Sequence, residues 1–149
     1  MKINITCGQI ANDHYSKKYK ETFIPFNEAM IEGNPKEDIF SEKFIQERVK
    51  TLNTTLEDYI SKMNSFLNLK EKMHQYNITC WFGDDDFCKM NLLTILAYLE
   101  QLDYQNEITF NLIDEYTFKI KETKRINPKN YKQKYLDKIS SKETQIIFE

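Results

Sequence analysis

The stretch Ile78-Thr79-Cys80-Trp81-Phe82-Gly83-Asp84-Asp85-Asp86-Phe87-Cys88-Lys89-Met90-Asn91-Leu92-Leu93-Thr94-Ile95-Leu96 decides the fold. Its first residues are almost continuously apolar, the pattern of a strand buried on both faces of a sheet. Gly83 and three aspartates then make an acidic turn. Beyond them Phe87, Cys88, Leu92, Leu93, Ile95, Leu96, Leu99 and Leu102 cover most sides of a helix running from residue 85 to about 103. A central strand leading through a turn into a buried helix is the repeating unit of a parallel α/β sheet.

Working outward, residues 2–7 alternate, are rich in Ile and end at Gly8, which predicts a first strand. A weak helix over 9–19 follows, then a strand over 22–26 in which Pro25 cannot donate to a ladder and so marks an edge. Residues 27–38 carry Gly33, Pro35 and no period, and predict a long loop of the kind that often serves function. Ser41 is a good N-cap for a helix with Phe44, Ile45, Val49 and Leu52 on one side. Thr54 or Thr55 opens another, whose stripe Leu56, Tyr59, Ile60, Met63, Phe66, Leu67 and Met73 predicts a helix reaching about residue 75, roughly 30 Å at ~1.5 Å per residue. After the central unit come a strand over 107–113, a weaker strand over 116–120, a Pro-initiated helix over 128–139 and a last strand over 144–148.

Strands alternating with helices imply right-handed crossovers in a mostly parallel open sheet of four to five strands, with helices on both faces. The expected architecture is a Rossmann-like or flavodoxin-like three-layer sandwich. Residues 1–115 form the α/β domain. Residues 116–149 are a basic C-terminal segment packed on it or extending from it.

The chain has 149 residues, enough for one core, and its 40% hydrophobic and 30% charged content is ordinary for a globular protein. The net charge of −2 conceals an asymmetry: residues 1–118 hold 12 basic and 19 acidic side chains, residues 119–149 hold 9 and 4. No broad basic footprint favours nucleic acid. No apolar run approaches the ~18 residues of a membrane span. The three cysteines, Cys7, Cys80 and Cys88, form no CxxC, and two sit in expected core strands. With no signal peptide in the opening residues, a reducing cytoplasm is the expected compartment.

Open parallel sheets bind ligands beyond the carboxyl ends of their strands, where strand order reverses. Here those ends are Cys7-Gly8-Gln9, Asn27-Glu28 and Gly83-Asp84-Asp85-Asp86, and the topology predicts that they open on one crevice. The first turn lacks GxGxxG and the chain lacks GxxxxGK[ST], so neither an NAD or FAD fingerprint nor a P-loop is present. Aspartates at a helix start serve first as caps, and their charge opposes a phosphate there. An oxygen-ligated divalent cation would draw on Asp84, Asp86, Glu28 and Glu32, a weak metal signal. Cys88 lies near three carboxylates, which raise a thiol pKa and speak against a nucleophile. His14 is expected at the surface or the edge of the core, and Trp81 within the core. Arg48 is either solvated or a bidentate clamp on Glu28, Glu32 or a ligand carboxylate.

These residues resemble a bacterial family of domains of unknown function, numbered 1835. Its members carry Asn-Gly-Asp after the first strand, then Arg-Glu-x-x-x-Glu-Gly, an arginine in the next helix, and a late Trp-Phe-Glu-x-Asp-x-Phe-Cys-Gln-x-Asn. This chain has Cys7-Gly8-Gln9, Asn27-Glu28-Ala29-Met30-Ile31-Glu32-Gly33, Arg48, and the block from Trp81 to Asn91. The resemblance covers roughly residues 1–115. It implies a Rossmann-like domain with no established activity and a site drawn from Gly8, Glu28, Glu32, Gly33, Arg48, Asp85 and Asn91. Gln9, Asn27, Gly83 and Lys89 depart from the family pattern, and two carboxylates are lost with them.

Two functions follow as expectations. The first is a small-molecule site, binding or enzymatic, with Gly8, Gln9, Glu28, Glu32, Gly33, Arg48, Asp85 and Asn91 around an acidic crevice. The second is a protein-interaction or regulatory module, with a protein partner or homo-oligomer engaging the basic segment and no catalysis.

Overall fold

The computed structural model describes residues 1–140 and 146–149. Five strands form one sheet: β1 (Lys2–Thr6), β2 (Phe23–Pro25), β3 (Asn77–Phe82), β4 (Ile108–Ile113) and β5 (Ile120–Ile126). Their order is β2-β1-β3-β4-β5; β1 to β4 are parallel and β5 is antiparallel to β4. The chain thus has the mostly parallel open sheet expected of a Rossmann-like or flavodoxin-like sandwich. Strand order reverses between β1 and β3, because the chain leaves β1 toward β2 and then crosses back.

The helices are α1 (Gln9–Lys18), α2 (Glu42–Thr51), α3 (Leu56–Leu67), α4 (Asp86–Gln101) and α5 (Tyr131–Ile139). Strand alternation divides the interior between the two faces of the sheet. Ile3 and Ile5 of β1, Ile78, Cys80 and Phe82 of β3, and Ile108 and Phe110 of β4 join the large core with α3, α4 and α5. On the opposite face lies α1, where Ala11 and Tyr15 pack with Phe23, Trp81 and Ile113. That smaller layer buries polar groups too. The Trp81 indole donates to Asn4 Oδ1 at 2.9 Å, and the Thr6 hydroxyl donates to Asn12 Oδ1 at 3.0 Å. Trp81 is therefore a core residue that also satisfies a buried amide, while His14 stacks on Phe118 at the edge of this layer.

Ser41 and Thr55 cap α2 and α3 through the amides of Phe44 and Asp58, as their hydroxyls predict. The long helix expected to reach residue 75 instead ends at Leu67. Two 3-10 turns, Asn68–Glu71 and Met73–Gln75, carry the chain on. Leu69 and Met73 stay buried through that tighter winding, so the apolar stripe outlasts the α-helix that it suggested.

The C-terminal segment is an integral part of the sheet and core. The strand expected over 116–120 is a turn, in which Asp114 Oδ1 accepts from the amides of Tyr116 and Thr117 at 2.9 Å each. The fifth strand lies just beyond it. Every residue of β5 before Ile126 is at least partly exposed, so no alternation marked it out. Tyr135 on α5 is fully buried and donates to Pro35 O at 2.9 Å. The strand expected over 144–148 lies partly outside the described residues, and residues 146–149 carry no strand. Among the described residues no helix is long and apolar enough to cross a membrane.

Because β5 and α5 complete the sheet edge and the α4 face, removing residues 119–149 is expected to abolish cooperative unfolding. A sigmoidal melt of the truncated chain, followed by far-ultraviolet circular dichroism, would contradict this integration.

Candidate functional site

The loop between β2 and α2 is built on one ion pair. Glu28 and Arg48 have no exposed side-chain surface. Arg48 Nε donates to Glu28 Oε2 at 3.0 Å and Nη2 to Glu28 Oε1 at 2.8 Å, the bidentate geometry of a guanidinium on a carboxylate. Arg48 also donates to the carbonyls of Ala29, at 2.9 Å, and Glu32. Glu28 accepts further bonds from the Tyr59 hydroxyl at 2.5 Å and the Ala29 amide at 2.7 Å. Burial pushes the Glu28 carboxyl up, but Arg48, Tyr59 and the Ala29 amide outweigh it and hold the group below its ordinary range. Burial and the neighbouring Glu28 charge raise the Tyr59 phenol, which stays neutral and donating.

Asn91, from α4, closes the other side of this loop. Its Nδ2 donates to Glu28 O at 2.8 Å and its Oδ1 accepts from the Met30 amide at 3.0 Å. Gly33 has φ 79°, and a Cβ there would lie 2.8 Å from Thr51 Cγ2 and 3.1 Å from Arg48 Nη1. Both its left-handed backbone and its approach to Arg48 require glycine. Glu28, Gly33, Arg48 and Asn91 are therefore gathered together, as loop-holding groups whose polar atoms are engaged by the protein itself. Glu32 is exposed beside them and contributes its backbone carbonyl, which accepts from Arg48.

The crevice lies at the reversal of strand order. A hollow of about 250 Å³ opens beyond the ends of β1, β3 and β4, lined by Cys7, Ala11, Asp85, Cys88, Glu115 and Phe118 among others. Gly8 turns the chain from β1 into α1 with φ 96° and has open space about it. Gln9 is exposed and accepts from Asn27 Nδ2 at 3.3 Å, so joining the ends of β1 and β2. Asp85 caps α4 by accepting from the Cys88 amide at 2.8 Å. The three aspartates fan apart. Asp84 pairs with Lys121 at 3.5 Å, and Asp86 faces a separate small hollow beside Gly33 and Met90. Of the expected site residues, then, Asp85 lines the crevice, while Gly8 and Gln9 lie between the lining residues Cys7 and Ile10 without lining it themselves. The side chains of Glu28, Glu32, Arg48 and Asn91 do not line it.

Three functional groups in the crevice were not among the expected site residues. Cys7 and Cys88 bring their Sγ atoms to 3.0 Å, and Cys88 Sγ lies 3.2 Å from Glu115 Oε1. Asn91 Nδ2 stands 3.8 Å from Cys7 Sγ, linking the crevice to the loop clamp. Glu115 enters because position 83 has no side chain: a Cβ on Gly83 would fall 2.1 Å from Glu115 Oε1. The close Cys7 thiol, burial and Glu115 all push the Cys88 thiol upward. Burial and the charges of Asp85 and Asp84 raise the Glu115 carboxyl. Cys80, buried within β3, is pushed up to about 12 by desolvation alone.

Comparisons of the chain with protein-family models, with curated proteins and with solved structures find no match.

The clamp gives two measurable expectations. Arg48→Met strands the Glu28 carboxylate and is expected to cost about 3–5 kcal/mol in urea unfolding, more than the Arg48→Met/Glu28→Met double variant. The folded-state pKa of Glu28 lies below its unfolded value, so its stabilisation is complete above the unfolded carboxylate range and is lost as pH falls through the folded pKa. Urea midpoints measured down to acid pH should fall more steeply for the wild type than for Glu28→Gln.

Proposed function

We propose that the chain is a small-molecule-binding α/β domain whose ligand sits in the crevice between the ends of β1 and β3. The observation that carries this reading is the convergence of Cys7, Asp85, Cys88 and Glu115 on a hollow at the point where strand order reverses. Open α/β sheets place ligands at such points. The walls, formed in part by Ala11, Ile113 and Phe118, are apolar, and the polar groups are few and convergent, the usual constitution of a ligand site.

The ligand class follows from the lining. No lysine, arginine or histidine faces the crevice among the described residues, whereas Asp85 and Glu115 do. A phosphate or carboxylate would meet only like charge. A compact amine or polyol with a small apolar body matches both the carboxylates and the walls, and a volume of about 250 Å³ favours a compact compound over a dinucleotide. Of the positions implied by the resemblance to the bacterial family numbered 1835, Asp85 alone among the described residues lines this crevice. Under that reading Glu115 occupies the space of the carboxylate that the family carries where this chain has Gly83, so the acidic character is retained by a different residue.

The interaction-module alternative draws less support. Lys121, Arg125 and Lys132 of the basic segment pair with Asp84, Glu107 and Asp38 of the body. The segment thus spends part of its charge within the molecule.

A panel of amines, amino alcohols and polyols, screened by thermal shift on the reduced chain, tests the reading. A compound present at about 100 times its Kd stabilises by ~2.7 kcal/mol, a rise of about 5–10 °C for a chain of this size. Glu115→Gln and Asp85→Asn should abolish that rise while leaving the unliganded melt nearly unchanged, since Asn preserves the cap. A panel without a single shift, or shifts indifferent to both substitutions, would remove the crevice as the binding site.

A further inference from the structure

The crevice gathers two thiols and two carboxylates in one space. The ligand atoms of Asp85, Cys88 and Glu115 lie within 4.8 Å of one another, and Cys7 Sγ touches Cys88 Sγ. Cys88 is buried to 6% exposure. Four groups that can each become an anion are therefore packed together, with no cationic side chain in the lining among the described residues.

We propose that Cys7, Cys88, Glu115 and Asp85 form a site for one borderline-soft divalent cation of the zinc, cobaltous or ferrous class. The inference deepens the crevice reading and rests on it for access from solvent. Thiolate and carboxylate donors together select such ions over magnesium or calcium, which demand oxygen. In a tetrahedral zinc site, with Zn–S of about 2.3 Å and Zn–O of about 2.0–2.2 Å, neighbouring sulfurs stand about 3.8 Å apart and sulfur and oxygen about 3.5 Å apart. The distances of 3.0 Å and 3.2 Å open by less than about 1 Å in that geometry, while Cys7 Sγ, which touches Cys88 but stands outside the cluster of Asp85, Cys88 and Glu115, moves in to complete it. Binding would release the two thiol protons to solvent and leave each sulfur as a thiolate on the metal.

The supporting groups are already placed. Asn91 Nδ2 approaches Cys7 Sγ at 3.8 Å, a donor to a future thiolate. The turn locked by Asp114 presents Glu115, and Gly83 leaves room for its carboxylate. A redox dithiol is the competing use of two touching cysteines. It needs a reactive thiolate, which nearby cations favour, and here the neighbours are carboxylates. A metal ion, by contrast, supplies the missing positive charge itself.

The test is a titration of the full-length, reduced and metal-free chain with Co²⁺, read in the near-ultraviolet and visible. The expected result is one equivalent of tetrahedral cobalt, with a thiolate-to-metal charge-transfer band and visible d–d bands that Zn²⁺ abolishes by displacement. Cys88→Ser and Cys7→Ser should each cut the charge-transfer band at least by half. Glu115→Gln, and Gly83→Ala through displacement of Glu115, should weaken cobalt about tenfold or more. Cys80→Ser should leave the spectrum unchanged, and circular dichroism on every variant confirms folding. Absence of a charge-transfer band at saturating Co²⁺ overturns the proposal, as does a band that survives in the Cys7→Ser/Cys88→Ser double variant. Isolation of a Cys7–Cys88 disulfide whose reduced form ignores cobalt overturns it in favour of redox chemistry. Organic compounds that raise the melting temperature of the metal-free chain, with no cobalt spectrum, sink the cation but keep the crevice. A cobalt spectrum with no organic ligand does the reverse.

Discussion

The structure turns on the buried Arg48 guanidinium and its acceptors. Residues 27–40 contain no helix or strand, yet they run across the large core between β2 and α2. A stretch like that must bring its own backbone partners or leave polar groups unsatisfied. Arg48 holds the carbonyls of Ala29 and Glu32 and the carboxylate of Glu28, while Asn91 takes the Glu28 carbonyl and the Met30 amide. Farther on, Gln101 brackets Ile39 with bonds of 2.9 Å and 3.1 Å, and Tyr135 holds Pro35. A loop without regular structure is thereby fixed to α2, α4 and α5 at once. Among the described residues no buried side-chain nitrogen or oxygen lacks a partner. A buried ion pair is a poor source of net stability, because desolvation consumes most of the Coulomb gain. Its value here is conformational: it admits one arrangement of the loop and penalises others.

The same loop explains why some residues that looked like a ligand site are used otherwise. Glu28, Gly33, Arg48 and Asn91 carry the chemistry that sequence reasoning associates with binding, and a bidentate Arg48 clamp on Glu28 was among the arrangements that the spacing allowed. What spacing cannot convey is burial. An arginine with no exposed surface, all three of its nitrogens donating to protein acceptors, is invisible in a sequence where Val49 beside it looks like the core residue. Conversely, Cys7 and Cys88 are 81 positions apart and read separately as small hydrophobes. The strand order would have joined them, since the end of β1 adjoins the first turn of the helix after β3 in any sheet that reverses between those strands. Glu115 left no such signal: it sits in a turn at the very edge of the expected domain, and its entry depends on a missing Cβ at Gly83.

The elements themselves were legible in proportion to their burial. Strand β3 and helix α4 are apolar on nearly every side and show in the sequence where they lie in the structure, within a residue or two. Strand β5, Ile-Lys-Glu-Thr-Lys-Arg-Ile, is an edge with charged side chains on both faces. That composition resists pairing with another chain and erases the period-two pattern by which strands are recognised. In α3 the error had the opposite sense. Burial continued past Leu67 and the helix did not, because a 3-10 turn can also keep Leu69 and Met73 against the core.

These two regions, clamp and crevice, are joined through Asn91, and the joint constrains what the crevice can become. The start of a helix ordinarily attracts anions through its unpaired amides and its dipole. Here Asp85 takes the amide of Cys88, and Glu115 stands over Gly83, so the positive end of α4 is already answered by protein carboxylates. The site is thereby converted from one that would hold a phosphate to one that repels it. Cys7 and Cys88 add two touching sulfurs and no positive charge. Any occupant must then bring cationic or hydrogen-bond-donating character to offset the crowding. It must also fit beside Cys7, whose Sγ lies 3.8 Å from Asn91 Nδ2, and Asn91 cannot move without releasing the Glu28 carbonyl and the Met30 amide. The loop that the ion pair shapes therefore bears on the crevice through Asn91 and Cys7, although neither Glu28 nor Arg48 nor Asn91 lines it.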